Sequence, residues 1–177
     1  MSDVSERVGA VTFKGNPVTL LGPEVKVGDP APDFRLLSQS LSPVSLADTP
    51  SKPRLFSVVP SLDTPVCSEQ TRKFESALAE LGDRVALYTI SLDLPFAQKR
   101  FCSDAAITHM QTLSDVHDHS FGKAYGVLIK GLPLPLLARA VFVLDAQGVV
   151  RHVEYVAEVT SHPDYDKTIA ALKQLVA

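Results

Sequence analysis

Two short apolar segments, each followed by a stretch with helical periodicity, most constrain the fold of this 177-residue chain. Residues 54–59 precede a predicted helix over 65–81, and residues 85–91 precede a shorter one over 95–102. In the first helix, apolar residues recur four and seven positions after Phe74, which is the spacing of one buried face. Because short apolar runs bounded by turns are typical of buried strands, the pattern predicts strands and helices that alternate around a central sheet.

The flanking segments extend this alternation on both sides. Toward the C-terminus we predict a strand over 111–114, a helix over 118–126, strands over 140–144 and 149–155, and a helix over 163–176. Toward the N-terminus we predict a hairpin over 10–21 that turns at Gly15-Asn16, and a surface loop over 28–53 with a short extended piece near Val44-Leu46. This order predicts an α/β protein with a thioredoxin-like three-layer fold, in which a mixed central sheet is flanked by helices and an N-terminal β-hairpin is added. There is no internal repeat or linker, so a single domain is expected over residues 1–177.

Composition and charge argue against several classes of function. Hydrophobic residues make up 45% and charged residues 21%, which is unlike an intrinsically disordered chain. The net charge of −3, with no basic run, argues against non-specific binding to nucleic acid. No apolar stretch approaches the roughly 18 residues of a membrane span, and residues 1–10 are polar, unlike a signal or transit peptide. We therefore expect a cytoplasmic protein that binds neither membrane nor nucleic acid.

The chain has two cysteines, Cys67 and Cys102, and their spacing disfavours two common uses. They do not form a Cys-x-x-Cys pair, which argues against both a thioredoxin-type redox pair and a zinc knuckle. In a reducing compartment a disulfide is more often catalytic or transient than structural. The alternative is that both are free cysteines of the core, since cysteine is among the most buried residue types. Counting alone leaves both interpretations open.

Cys67 lies at a position where a negative charge is favoured. It follows the predicted strand that ends at Pro60, and Thr64 and Pro65 are residue types preferred at an N-cap and at the first helical position. Cys67 then falls in the first helical turn, where unpaired backbone N–H groups and the helix dipole favour a thiolate. Because the thiolate is the nucleophilic form, the position predicts a reactive cysteine at the carboxyl end of a strand. The alternative is a small apolar residue that packs the start of a helix.

Several segments together resemble one known family. Pro60, Thr64 and Cys67 have the spacing of the peroxiredoxin signature Pro-x-x-x-Thr-x-x-Cys. The chain is closely similar to the bacterial thiol peroxidases, an atypical two-cysteine subfamily of the peroxiredoxins with a thioredoxin-like fold. The similarity extends in order over nearly the whole chain, through the segments 11–18, 31–34, 60–67, 91–102 and 138–145.

The resemblance implies a catalytic role for particular residues. Cys67 matches the peroxidatic cysteine, whose thiolate attacks the peroxide O–O bond and becomes a sulfenic acid. Thr64 matches the threonine whose hydroxyl bonds to the thiolate and the peroxide, and Pro60 matches the proline that shields the thiolate from water. Arg139 matches the arginine that holds the thiolate and stabilises charge as the O–O bond breaks. Cys102 matches the resolving cysteine of the same chain.

The resemblance also implies a catalytic cycle and its partners. Hydrogen peroxide and organic (alkyl or lipid) hydroperoxides are the expected substrates, and neither a metal nor an organic cofactor is expected. Cys67 and Cys102 are expected to form an intramolecular disulfide that thioredoxin reduces. Since both cysteines are predicted on helices, both helices must unwind locally to bring the two Cα atoms within about 7 Å. A homodimer is expected, and the apolar segment 131–137 is expected to line the substrate site or a dimer interface.

Other interpretations of the chain stay open. A thiol–disulfide oxidoreductase that acts on proteins predicts a Cys-x-x-Cys motif and a facing cis-proline, and Arg139 occupies that region instead. A zinc site could combine Cys102 with the histidines of segment 109–119, although the ligand spacing fits no standard pattern. A non-catalytic binding module would tolerate loss of Thr64 or Arg139. For Arg139 itself, a structural ion pair with a carboxylate is the alternative to a catalytic role.

Overall fold

Strands and helices alternate along the chain in the computed structural model, which describes residues 3–177. The strands are β1 (Glu6–Phe13), β2 (Asn16–Leu21), β3 (Leu36–Leu37), β4 (Pro43–Val44), β5 (Arg54–Val58), β6 (Ala86–Ser91), β7 (Met110–Ser114), β8 (Leu128–Lys130), β9 (Ala140–Leu144) and β10 (Val150–Tyr155). The α-helices are α1 (Pro65–Leu78), α2 (Pro95–Asp104), α3 (Ser120–Ala124) and α4 (Tyr165–Leu175). Within residues 3–177, no helix has the length and apolar character needed to cross a bilayer.

In the central sheet, the start of strand β9 lies beside the end of strand β5. Its strand order is β10-β9-β5-β6-β7-β3-β4, and β5, β6 and β7 run parallel. Strand β9 runs antiparallel to β5, so Val58 at the end of β5 pairs with Ala140 at the start of β9. Arg139, one residue before β9, and Pro60, two residues after β5, therefore line the same cavity. The candidate site forms at this end of the sheet.

Successive side chains of the central strands point to opposite faces and enter two separate apolar cores. On one face, Leu55 and Val143 pack with α1 and α4 through residues that include Phe74 and Leu172. On the other face, Phe56 packs with α3 and with a second, three-stranded sheet of β1, β2 and β8. Full burial of one such side chain contributes about 1.5–3 kcal/mol, so these contacts hold both layers against the sheet. The mixed sheet with helices on both faces confirms the predicted α/β class.

The predicted N-terminal hairpin is confirmed, and its turn falls one residue earlier than expected. Strands β1 and β2 are joined at Lys14 and Gly15, whose φ angles are 51° and 81°. Left-handed angles at both turn residues match the twist of the flanking strands, and Gly15 adopts them without a side-chain clash. Strand β8, which pairs with β2, is absent from the sequence prediction because three residues are too few to show an alternating pattern.

Two other boundaries differ from the sequence prediction for local reasons. The helix predicted over 65–81 ends as an α-helix at Leu78 and continues as a 3-10 turn. The extended piece predicted near Val44-Leu46 stops early, because the Asp48 carboxylate accepts from the backbone N–H of Ser45 at 2.9 Å and closes a 3-10 turn. The predicted surface loop before β5 also contains β3 and β4, which extend the sheet beyond β7.

Candidate active site

Cys67 is the third residue of α1, and its side chain is completely buried. Pro60 has no backbone N–H to continue the ladder, so the chain leaves the sheet after β5, and Pro65 suits the first helical position. The Cys67 side chain packs against Leu62, and Phe101 of α2 lies against this cluster. The structure confirms the predicted placement in the first turn of a helix, where the free N–H groups favour a negative charge.

Arg139 is buried and holds the Cys67 sulfur. Its Nη2 donates to Cys67 Sγ at 3.2 Å, its Nη1 to Gln70 Oε1 at 2.8 Å and its Nε to the Val159 carbonyl at 2.9 Å. None of the ion pairs among residues 3–177 includes Arg139, which contradicts the interpretation of a structural pair with a carboxylate. A buried guanidinium without an anion is costly, and Cys67 is the one side chain hydrogen-bonded to Arg139 that could carry a negative charge.

Gln70 orients Arg139, and the sequence analysis missed it. Its Nε2 donates to Ser57 Oγ of β5 at 2.8 Å, so its Oε1 faces the guanidinium. Gln70 is completely buried and lies three residues after Cys67, on the same face of α1. A polar residue within the buried stripe of this helix was the available signal, since glutamine is rarely buried without a partner.

A cavity of about 470 Å³ lies over this end of the sheet, and its walls are mostly apolar. The lining comes from four separate parts of the chain: Phe13 and Lys14; Pro60, Ser61, Thr64, Pro65 and Val66; Leu134, Leu136 and Arg139; Val159 and Thr160. Two residues of the apolar segment 131–137 therefore share a cavity with Arg139, as expected for that segment. Cys67 lies behind this lining, with its sulfur against the Arg139 guanidinium.

Thr64 occupies the N-cap position of α1, but its side chain does not cap the helix. Its hydroxyl is on the exposed side and donates to the Ser61 carbonyl at 2.9 Å. The predicted N-cap position of Thr64 is confirmed, and the tight turn from Ser61 to Thr64 gives its hydroxyl an acceptor outside the helix. Thr64 still lines the cavity next to Pro60.

Asp93 fixes the loop that leads into α1. Its Oδ1 accepts from Ser61 Oγ at 2.7 Å, and its Oδ2 accepts from the backbone N–H of Leu62 at 2.8 Å. Its Oδ2 also accepts from Ser91 Oγ at 2.7 Å. Asp93 lies between β6 and α2, so one carboxylate ties the loop before Cys67 to the segment that begins the helix of Cys102.

Cys102 lies in α2, in surroundings that differ from those of Cys67. It is half-buried and lines a separate cavity of about 380 Å³ with Gln39 and Thr112 among the neighbours, and no residue lines both cavities. Burial raises the pKa of the Cys102 thiol, and hydrogen bonds with Thr112 and Gln39 offset only part of that effect. Both cysteines are free thiols in this structure. Across the described part of the chain, no group of three or more His, Cys, Asp or Glu side chains is placed to hold a metal ion.

Comparison with known proteins agrees with this geometry. The sequence model of the Redoxin family matches residues 26–169. The thiol peroxidase of Halalkalibacterium halodurans is 59% identical over 166 residues, which is 94% of this chain and 98% of that protein. The thiol peroxidase of Bacillus subtilis is 58% identical, with the same coverage.

Solved structures show the same architecture. A peroxiredoxin-like protein from Aquifex aeolicus superimposes with a TM-score of 0.87 at 41% identity and covers 96% of this chain and 99% of its own. A thiol peroxidase from Chromobacterium violaceum gives a TM-score of 0.83 at 23% identity, over 93% of this chain and 95% of its own, which is a likeness of fold alone. The expected thioredoxin-like fold is thereby confirmed, and it presents a cysteine at the start of a helix beside a buried arginine. The chain belongs to the Redoxin family and, within it, to the bacterial thiol peroxidases.

Proposed function

We propose that this thiol peroxidase reduces hydroperoxides through a thiolate on Cys67 and an internal disulfide with Cys102. The observation that carries the proposal is the 3.2 Å contact from Arg139 Nη2 to Cys67 Sγ. An arginine is always charged, so at this distance it favours the thiolate, which is the form that attacks peroxide. Pro60 is buried beside the same cavity, which supports its role as a shield against water.

In the first step, the Cys67 thiolate attacks one oxygen of the peroxide. An S–O bond forms as the O–O bond breaks, so sulfur loses two electrons and becomes a sulfenic acid. The other oxygen leaves as alkoxide or hydroxide and takes a proton to give an alcohol or water. Arg139 is positioned to stabilise the charge on that oxygen. Because the Thr64 hydroxyl donates to the Ser61 carbonyl, we propose that it rotates toward the peroxide during the reaction.

In the second step, the Cys102 sulfur attacks the sulfenic sulfur, an S–S bond forms and the oxygen leaves as water. Cys67 is buried behind the lining of one cavity and Cys102 lines another, so we propose that the chain rearranges first. Gln98 holds the start of α2 through a 3.0 Å hydrogen bond to the backbone of β7, and the Glu75 carboxylate accepts from the N–H of Thr108 after the helix. We propose that residues 99–107 unwind between these two anchors, together with the first turn of α1.

The shape of the cavity supports organic hydroperoxides as substrates in addition to hydrogen peroxide. Its volume of about 470 Å³ and its apolar walls suit an alkyl or aryl group, while Arg139 marks the end where the peroxide oxygens react. Leu134, which is 56% exposed, and the half-buried Leu136 add apolar side chains to the lining. The substrate class therefore includes alkyl and lipid hydroperoxides.

The disulfide formed in each turnover must be reduced by an external dithiol, and we propose thioredoxin in the cytoplasm as that partner. The proposed chemistry uses sulfur, oxygen and protons, so it requires neither a metal nor an organic cofactor. We also propose a homodimer. Exposed apolar side chains, such as Leu134 in the cavity lining and Phe96 on α2, which is 65% exposed, would be covered by a second copy.

The proposal is tested by the intact mass and thiol count after one equivalent of cumene hydroperoxide. We expect a loss of about two mass units and of both thiols, with no disulfide-linked dimer. The matched control, Cys102→Ser, should lose its remaining thiol and gain one oxygen. If both thiols of the unmutated protein survive the peroxide, the proposal fails and the non-catalytic binding module replaces it.

A further inference from the structure

A single carboxylate, Glu158, joins the N-terminal hairpin to the segment before α4. Five donors point at it. Its Oε1 accepts from Thr12 Oγ1 and from the backbone N–H of Gly15, both at 2.8 Å. Its Oε2 accepts from the backbone N–H of Lys14 at 3.2 Å and from the N–H and hydroxyl of Thr160 at 2.8 and 2.6 Å. Three donors therefore come from the hairpin, more than 140 residues away in sequence.

The backbone around Glu158 connects these hydrogen bonds to Arg139. Thr12 donates its N–H to the Ala157 carbonyl at 2.8 Å and accepts from the N–H of Val159 at 2.8 Å. The carbonyl of Val159 in turn accepts from Arg139 Nε at 2.9 Å. The hairpin, the segment 157–160 and the arginine thus form one hydrogen-bonded series.

The hydrogen bonds of Glu158 join the two segments that form one side of the cavity. Phe13 and Lys14 line it from the hairpin, and Val159 and Thr160 line it from the facing segment. The hairpin tip is an exposed two-residue turn, and the Glu158 carboxylate adds three hydrogen bonds to the two backbone bonds by which Thr12 holds the hairpin against this segment. Hydrogen bonds from Thr160 and from the N–H of Gly15 lower the pKa of Glu158 to about 2, so the carboxylate accepts bonds throughout the neutral range.

We propose that Glu158 is a positioning residue that fixes the hairpin wall and thereby sets the preference for bulky organic hydroperoxides over hydrogen peroxide. The inference rests on the proposed function for its assignment of the substrate cavity. Hydrogen peroxide needs only the end of the cavity beside Arg139, whereas an aryl or alkyl group also needs the wall that Phe13 provides. Release of the hairpin should therefore cost the large substrate more than the small one.

The test compares kcat/KM for cumene hydroperoxide and for hydrogen peroxide in Glu158→Ala. We expect the ratio of the two constants to shift by at least about fivefold in favour of hydrogen peroxide. Glu24→Gln is the control, because it removes an exposed carboxylate that does not line this cavity, and its ratio should not change. In the same samples, amide hydrogen exchange at Gly15 should become faster only in Glu158→Ala.

Thr12→Val keeps the shape of the side chain and removes one donor to Glu158, so it guards against a simple folding defect. We expect a smaller shift of the ratio in the same direction, with thermal unfolding close to that of the unmutated protein. An unchanged ratio in Glu158→Ala, despite faster exchange at Gly15, would overturn the inference. An equal loss for both peroxides would also overturn it, since a purely structural role predicts that result. Failure of the unmutated protein to oxidise Cys67 with either peroxide would instead refute the proposed function.

Discussion

Cys67 and Cys102 both lie on helices, but a buried cation contacts the first, whereas the second has neutral hydrogen-bond partners and the Glu75 carboxylate nearby. Arg139 Nη2 donates to Cys67 Sγ at 3.2 Å, and the cysteine lies in the first turn of α1. Cys102 lies in the last turns of α2, where Thr112 and Gln39 contribute only neutral donors and burial raises the pKa of its thiol. The surroundings of Cys102 thus favour its neutral thiol, whereas Cys67 lies beside a positive charge.

In the proposed cycle, this difference sets the order of two reactions, which are the oxidation of Cys67 by peroxide and the formation of the disulfide with Cys102. A thiolate reacts with peroxide and a neutral thiol does not, so the proposed function directs the first oxidation to Cys67. In the proposed cycle, Cys102 becomes reactive after it leaves its cavity, which ties the second step to the unwinding of α2.

The largest effect is expected when the two cysteines are exchanged for serine one at a time. Cys67→Ser should abolish peroxide reduction, because no activated thiolate remains. Cys102→Ser should keep the first oxidation and lose turnover driven by thioredoxin. Stopped-flow peroxide consumption with and without thioredoxin separates the two outcomes. If Cys67→Ser and the unmutated protein reduce peroxide at equal rates, Cys67 is not the peroxidatic cysteine and the comparison between the two thiols fails.

Arg139→Lys should lower the rate constant of the first oxidation by about 10²–10³-fold. A lysine cannot donate to Cys67, Gln70 and the Val159 carbonyl at once, so the charge moves away from the sulfur. Arg54→Lys is the matched control, since Arg54 is also buried but donates to Thr49 and to the backbone of Asp145.

The control should lose stability, seen in thermal unfolding, without a change in that rate constant. The comparison between the two thiols would fail if both lysine variants slowed the oxidation equally.

Gln70→Leu should lower the same rate constant by about tenfold, because Arg139 loses the acceptor that orients its Nη1. Gln98→Leu is the control: Gln98 is equally buried but donates to Ser91 and to the backbone of β7. We expect Gln98→Leu to leave the first oxidation unchanged and to alter only the rate of disulfide formation. Single-turnover measurements that follow sulfenic acid and disulfide separately will show whether the two glutamines act on different steps.

The smallest expected effect is a shift in a pH profile. In Cys67→Ser, Cys102 is the remaining thiol, and its rate of alkylation should rise with pH to a midpoint above that of an ordinary thiol, because burial raises its pKa. Thr112→Val removes a hydrogen bond that lowers this pKa, so the midpoint should move to still higher pH. A midpoint at or below the ordinary value would show that the surroundings of Cys102 do not suppress its reactivity.

Much of the fold follows from local patterns in the sequence. Short apolar runs and helical periodicity predict β5, α1, β6, α2, β9, β10 and α4 within a few residues, because burial on one face requires those spacings. The position of Cys67 in a first helical turn follows from Thr64 and Pro65. Local patterns do not predict strand β8 or the exact helix ends, because their hydrogen bonds depend on segments distant in the chain.

The site itself was only partly predictable. Arg139 and Cys102 were assigned through the family resemblance, and no spacing rule shows that Arg139 lacks a carboxylate partner. Gln70 needed the orientation that Ser57 imposes on its amide. The contact of Arg139 with the Val159 carbonyl could not be predicted from the sequence, because any residue type can provide a backbone carbonyl.

Trapping the sulfenic acid is the most direct test of the claim that peroxide oxidises Cys67 and not Cys102. Cys67→Ser and Cys102→Ser would each receive one equivalent of hydrogen peroxide in the presence of dimedone, and the adduct would be located by peptide mass spectrometry. The account predicts a rapid adduct on Cys67 in Cys102→Ser and essentially none on Cys102 in Cys67→Ser. Adducts that form at comparable rates on both cysteines would contradict it, because the two surroundings would then not distinguish a thiolate from a thiol.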